Sequence, residues 1–330
     1  MKDFVIGIDV GGTKVAYGLF DADKNLIMEH RHHSDAALSP ADFFNRVFSE
    51  VKALCNKAGV PMENLRGVGI GMPSFIRSHD GYIQKTVNLT KIKDFPALEY
   101  LSGLFNKIPV VLDNDARVAA LAEHRQGVGK GFHNMLYCPL STGIASAIII
   151  NNELFRGSDG FSGESGHMLV TPGEGVKCGC GKKGCYMSYC SGSMIMKHIN
   201  NWIEEGQSTL MTEMVSNPKE LTTIHLNEAW KKGDLMAQRA FEQMVHYMAM
   251  WLANLYLTLN INCFVFGGGL LHIDFPLLSK VRTAFDSFCG NANTVYFKTA
   301  QLGDQIGIIG ATELLTTLIA TPSPNVQQNP

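Results

Sequence analysis

Apolar residues recur along this chain in two rhythms. Short runs in which they dominate, closed by glycines or small polar residues, alternate with longer stretches where they return every three or four positions. Phe4–Val10, Lys14–Phe20 and residues 25–32 read as three strands, joined by Gly11-Gly12-Thr13 and Asp21-Ala22-Asp23-Lys24 turns. Ser39-Pro40 then opens a helix, because a serine hydroxyl can accept a free N–H of the first turn and proline already has the φ of a first helical residue. Phe43, Phe44, Val47, Val51 and Leu54 form its apolar face. Strand-like runs follow at 67–71 and 109–112, and Asn114-Asp115 begins a helix over 116–124 that stops near Gly127.

The opening layout returns at Met135. Residues 135–140, the turn Ser141-Thr142-Gly143 and residues 144–150 repeat the strand, small-residue turn and strand of the first twenty positions. This reads as an internal duplication and predicts two copies of one nucleotide-cradling hairpin, facing each other across a cleft. The longest helical pattern runs from Trp230 and is capped by Asp234. Leu235, Phe241, Met244, Val245, Met248, Leu252, Leu255 and Leu259 form its stripe, in which methionines serve as core filler. A buried strand at 263–266 runs into Gly267-Gly268-Gly269. Residues 321–330, with three prolines and almost no apolar groups, are expected to be a disordered tail.

The 330 residues suffice for two domains with separate cores. A chain with 45% hydrophobic and 18% charged residues folds, and its net charge of −2 leaves no electrostatic footprint for nucleic acid or anionic lipid. The apolar runs are too short to span a bilayer and the N-terminus lacks a signal-peptide pattern, so no membrane partner and a cytoplasmic location are expected. Of eight cysteines, Cys55, Cys138, Cys263 and Cys289 are scattered in apolar segments and read as small buried hydrophobes. Cys178, Cys180, Cys185 and Cys190 crowd together and suit a metal better than disulfides.

Three segments carry candidate chemistry. In Asp9-Val10-Gly11-Gly12-Thr13-Lys14 the glycines allow a tight turn whose N–H groups can face an anion, Thr13 and Lys14 offer phosphate donors, and Asp9 can hold hydrated Mg²⁺. A plain hairpin turn would look similar. Asn114-Asp115 places a carboxylate after an apolar strand, where ligands bind in open α/β sheets, although Asp is also a good first-turn residue. In Gly163-Glu164-Ser165-Gly166-His167, followed by Cys178-x-Cys180-Gly-x-x-Gly-Cys185, one histidine and three cysteines make a four-ligand set suited to structural Zn²⁺.

Together with Gly267-Gly268-Gly269, these segments resemble in order the signature of the ROK family (repressor, open reading frame, kinase), over residues 5 to about 311. The resemblance implies an α/β fold: the two-lobed, actin-like (ribonuclease H-like) sugar-kinase fold with a central cleft. Its N-terminal lobe would span 1–118, completed by a C-terminal helix within 303–320, and its C-terminal lobe, with the zinc loop, 119–302. It also implies a homo-oligomer, a dimer, that uses ATP with Mg²⁺ to phosphorylate a small sugar, a hexose or hexose derivative. Asp115 would then be the catalytic base, and Asn88, Asn114 and Glu164 sugar contacts. His167 would bind both zinc and sugar. Gly11, Gly12, Thr13, Thr142, Gly143, Gly267, Gly268 and Gly269 would surround ATP. Within the family, Cys185-x₄-Cys190-Ser-Gly and Gly267-Gly-Gly-Leu…Asp274-Phe-Pro look most like bacterial D-allose kinases.

The sequence departs from the family pattern at Met187, where glutamate is usual, at Ser74, where glycine is usual, and in the run Ser141–Ser146, which is poorer in glycine. A thioether makes no charge-assisted hydrogen bond, so Met187 bears on substrate choice. Two rival readings remain: a sugar-sensing regulator, which in this family carries a helix-turn-helix ahead of the first phosphate motif, and a sugar-binding relic without catalysis. Asp9 lies too near the start for the first, and simple binding does not need both Asp9 and Asp115. A zinc-ribbon nucleic-acid module lacks surrounding basic density, and His30-Arg31-His32-His33 reads as a solvated strand end.

Overall fold

A computed structural model describes residues 3–86, 88–290 and 294–320, with side chains as far as residue 316. The tail expected at 321–330 lies outside the described residues. The chain divides into two compact units. The first comprises the residues up to Gly131, Leu154–Ser162 and those from Gln301 onward; the second comprises Phe132–Glu153 and Gly163–Ala300. The expected boundary at 118/119 lies within the helix Asp115–Arg125.

In the first unit β1 (Phe4–Val10), β2 (Lys14–Phe20), β3 (Leu26–His33) and β4 (Leu65–Met72) are followed by a small antiparallel sheet of β5 (Ser74–Arg77), β6 (Tyr82–Thr86) and β7 (Lys93–Phe95), and then by β8 (Val110–Asn114). The main sheet has the order β3-β2-β1-β4-β8, with β1, β2 and β3 antiparallel and β1, β4 and β8 parallel. Helices α1 (Pro40–Ala58), α2 (Ala97–Phe105) and α3 (Asp115–Arg125) belong to this unit. In α1 the Ser39 hydroxyl accepts from the Asp42 N–H, and Phe43, Phe44, Val47, Val51 and Leu54 are buried as the pattern predicted. Alternation along β1 sends Ile6, Ile8 and Val10 into that core and leaves Gly7 and Asp9 on the opposite face.

The second unit begins with β9 (Met135–Pro139) and β10 (Ala147–Ile150), after which β11 (Glu153–Phe155) leads the chain out and back. Helices α4 (Met187–Cys190), α5 (Gly192–Glu204), α6 (Thr223–Lys231) and α7 (Leu235–Leu259) follow, then β12 (Cys263–Gly267), α8 (Leu277–Cys289) and β13 (Tyr296–Thr299). The sheet order β10-β9-β12-β13, antiparallel at the first pair and parallel thereafter, repeats β2-β1-β4-β8 strand for strand. Duplication is therefore visible in topology. Asp234 caps α7 through the Ala237 N–H, and Met244 and Met248 are core, but Leu235, at the first position of the helix, is exposed.

The strand expected at 144–150 starts only at Ala147. Ser146 donates its N–H to the Gly163 carbonyl, 2.8 Å away, and its hydroxyl meets Ser165 Oγ, so its backbone is committed to a distant segment rather than to β9.

The chain returns to the first unit as α9 (Ile306–Ala320), which lies on β1 and β4. Gly7 and Gly69 are register partners there. A Cβ on Gly7 would lie 1.9 Å from the Ile308 carbonyl oxygen, and one on Gly69 1.8 Å from that of Ala311. The helix backbone thus rests directly on the sheet. Gly69→Ala is expected to lower stability by about 1–3 kcal/mol or more, since a backbone cannot swing aside. Gly103→Ala, in α2 with nothing within 4 Å of its new Cβ, should be neutral or stabilising by about 0.5–1 kcal/mol. Urea unfolding of the two variants checks the contrast, and equal midpoints would show that the contact is soft.

Candidate active site and metal centre

Register places the carboxylates of the first unit. Asp9, Gly71 and Asp113 lie side by side across β1, β4 and β8, at the strands' carboxyl ends. Asn114 and Asp115 come next, where β8 turns into α3. Asn114 is the N-cap: its Oδ1 accepts from the Ala116 N–H at 2.9 Å, while its Nδ2 donates to the Ser74 carbonyl at 3.2 Å. The same Ala116 N–H reaches Asp115 Oδ1, also at 2.9 Å.

Both site carboxyls hold their protons more tightly than an ordinary aspartate. Burial and then the negative charge of Asp115 push Asp9 up to about 6, against the pull of Lys14 and Arg31. Burial raises Asp115 as well, opposed by its backbone hydrogen bonds. The charge of Asp115 thus acts on Asp9, and the first turn of α9 lies against Asp9: a Cβ on Gly307 would lie 2.3 Å from Asp9 Cγ. Such a pair attracts cations, and a carboxylate with raised proton affinity is a better base than an exposed one.

The Gly11–Thr13 turn is closed by the Gly11 N–H on the Lys14 carbonyl, at 2.8 Å, and fastened by Ser34, whose N–H and hydroxyl reach the carbonyls of Thr13 and Gly11. Thr13 and Lys14 are exposed, and Lys14 Nζ is 3.9 Å from Asp304. Asn88 lies against this turn, since a Cβ on Gly12 would be 2.5 Å from its Nδ2. Asp9, Gly11, Gly12, Thr13, Lys14, Asn88, Asn114 and Asp115 thus all belong to the first unit.

Sequence reasoning missed the charges beneath them. Asp113 accepts from Arg117 Nη1 at 3.0 Å and from Arg156 Nε at 2.8 Å, and Arg117 Nη2 donates to the carbonyls of Gly160 and Ser162. The one signal available was an arginine on the otherwise apolar start of α3; nothing near Arg156 marked it.

The remaining expected residues lie in the second unit. Gly163 and Gly166 are required by close approach, because a Cβ would lie 1.8 Å from the Ser146 carbonyl oxygen or 2.2 Å from that of Ile144. Between them Ser165 is held by Ser146 and by Trp251 Nε1, at 3.0 Å, which fixes the short turn carrying Glu164 and His167. Sequence patterning gave Trp251 no such role.

His167, Cys178, Cys180 and Cys185 converge: one ligand atom from each lies within 4.8 Å of all the others. Cys178 Sγ is 3.5 Å from His167 Nδ1, and Cys180 Sγ is 3.6 Å from Cys185 Sγ. Hydrogen bonds from the Cys178 N–H to the Lys182 carbonyl and from the Gly181 N–H to the Cys178 carbonyl wrap the loop tightly. Burial and the neighbouring sulfurs push the Cys185 thiol up to about 12, so a thiolate at that position is relieved by a cation. The cluster is a candidate metal site.

The second hairpin turn is tied to the start of α5. The Ser141 and Thr142 carbonyls accept from the Gly192 and Ser193 N–H groups, at 2.8 and 3.2 Å, so the turn caps α5. Met187 Sδ lies 3.3 Å from where a Cβ on Gly143 would be. Gly267 and Gly268 pack against Tyr137 and the Leu140 carbonyl, whereas Gly269 is open.

The sequence profile of the ROK family matches residues 5–317. The chain belongs to the ROK family. It is 29% identical over 307 residues to a glucokinase of Halalkalibacterium halodurans, covering 92% of each protein. It is also 28% identical to a xylose repressor of Bacillus spizizenii, over 86% of this chain and 69% of that protein. Among solved structures, the ROK hexokinase of Thermus thermophilus superposes with a TM-score of 0.83 at 27% identity, covering 96% of this chain and 99% of that one. The ROK glucokinase of Streptomyces griseus, solved with glucose and AMPPNP, gives 0.74 at 26% identity, covering 95% and 99%. The fold of this ROK chain is the α/β sugar-kinase fold of these relatives. No helix among the described residues is long and apolar enough to cross a membrane.

Proposed function

We propose that this ROK protein is an ATP-dependent sugar kinase in which Asp115 is the general base. The observation that carries this reading is the pair of buried carboxylates, Asp9 and Asp115, at the carboxyl ends of one sheet beside a turn rich in phosphate donors. Glucokinase and hexokinase relatives support it. Phosphoryl transfer asks the protein for positioning, charge neutralisation and a proton acceptor. A sugar hydroxyl gives its proton to Asp115 as its oxygen bonds to the γ-phosphorus, and the bond to the β–γ bridging oxygen breaks to release ADP. Gly11, Gly12, Thr13 and Lys14, with Thr142, Gly143 and Gly267–269, serve the nucleotide. Asn88, Asn114 (through its second amide hydrogen), Glu164 and His167 serve the sugar. Asp9 would hold the hydrated Mg²⁺ that accompanies ATP, because a carboxylate crowded by burial and a second acid is relieved by a cation. That ion neutralises phosphate charge.

The sugar is a hexose or hexose derivative. With Met187 over Gly143 in place of the usual glutamate, a substrate that needs no charged acceptor at that point is favoured over glucose. The kinship with xylose repressors favours a second reading, sugar binding without turnover. ADP release measured over a panel of hexoses, allose and N-acetylmannosamine included, separates the two. The kinase reading expects turnover with at least one sugar and a loss of about 10²-fold or more in Asp115→Asn, with sugar affinity largely kept. Saturable sugar binding with no sugar-dependent ADP release would establish the second reading instead.

The metal at His167, Cys178, Cys180 and Cys185 is assigned as structural Zn²⁺. A tetrahedral ion with Zn–S of about 2.3 Å and Zn–N of about 2.0–2.1 Å has S–S edges of about 3.8 Å and S–N edges of about 3.6 Å. The separations of 3.6 and 3.5 Å fit that figure. Elemental analysis should find one zinc per chain. Chelation should lower the melting temperature and sugar affinity together, since His167 shares a short turn with Glu164. Metal-free protein of full stability and activity would remove the assignment.

A further inference from the structure

The first turn of α3 holds a charge cluster that the chemistry proposed above does not use. Asp113 and Arg117 have side chains only 5% exposed, and Arg156 is 30% exposed. The Asp113 carboxylate receives both guanidinium groups and the Asn114 N–H, at 2.8 Å. Arg117 then extends to two carbonyls of the 154–162 segment, which also rests on β5: a Cβ on Gly160 would be 2.5 Å from the Ile76 carbonyl oxygen, and Phe161 lies 5.9 Å from Phe75, ring to ring. All of these residues belong to the first unit.

Apolar side chains of similar volume would stabilise this spot as well or better, because burying ions costs desolvation that pairing only offsets. What the guanidinium adds is direction. Its planar fork ties the third residue of α3 to Asp113 near the end of β8 and to the 154–162 segment at once. The residue between them, Asp115, is thereby held with its carboxyl at the Ala116 N–H.

We propose that Arg117, through Asp113 and Arg156, is a positioning residue that fixes the rotation of the first turn of α3 and so the direction of the Asp115 carboxylate. This rests on the reading of Asp115 as the base. Lysine cannot replace it: a single ammonium is a point donor and cannot span Asp113 and two carbonyls in one plane.

The test compares wild type with Arg117→Lys and Arg117→Met, the second leaving no buried polar end. Both should lose at least tenfold in kcat, while KM for ATP and sugar stay within about threefold and the loss persists after correction for the folded fraction. Amide hydrogen exchange provides a readout independent of turnover. Peptides covering 113–117 and 157–162 should exchange about tenfold faster in both variants, with β1 and β4 unchanged. Unaltered kcat in Arg117→Met overturns the proposal, as does exchange that rises evenly across the unit, which marks a merely structural role. If wild type shows no sugar-dependent turnover, the kinase reading fails by itself, and the exchange pattern alone then decides whether Arg117 fixes the turn.

Discussion

Helix α9 rests on the first sheet without side chains in between, and the proposed site depends on that contact. Gly7 and Gly69, paired in register, leave the Ile308 and Ala311 carbonyls no room for a Cβ on either strand. The helix start is thereby fixed, with Gly307 against Asp9. That contact dehydrates Asp9, and dehydration beside a second acid raises its proton affinity. A methyl group in the sheet would move the helix and return water to the carboxylate. Close packing and site electrostatics are therefore two consequences of the same glycines.

Much of this architecture was legible because its signals are local. The Ser39-Pro40 and Asp234 caps, the apolar faces of α1 and α7, and the Gly11–Thr13 turn each depend on residues within a few positions. The candidate metal site was legible for the same reason: its four side chains fall within nineteen residues, 167 to 185, in a glycine-rich loop. The duplicated hairpin was read from pattern alone, and β9 pairs antiparallel with β10 as β1 does with β2.

What escaped the sequence is long-range. The shortened β10 follows from the bond between Ser146 and Gly163, and Ser165 is held by Trp251, eighty-six positions away. Asp113 meets Arg156 across forty-three positions, and no periodicity announces such a pairing. Leu235 was misplaced because helical spacing continues to a helix end where the core does not. Asn88 lies against the Gly11–Thr13 turn through a contact that the chain makes only once folded.

The coupling of Asp9 to Asp115 can be measured directly by carbon-13 NMR titration of the Asp9 carboxyl in the metal-free, nucleotide-free protein, wild type and Asp115→Asn. If the two acids share one field, Asp9 titrates near 6 in the wild type and distinctly lower in the variant, while remaining above the ordinary 3.8 because burial, the larger cause, is untouched. An Asp9 that titrates near 3.8 in the wild type, or identically in the two proteins, would contradict the paired-carboxylate site on which the proposed chemistry stands.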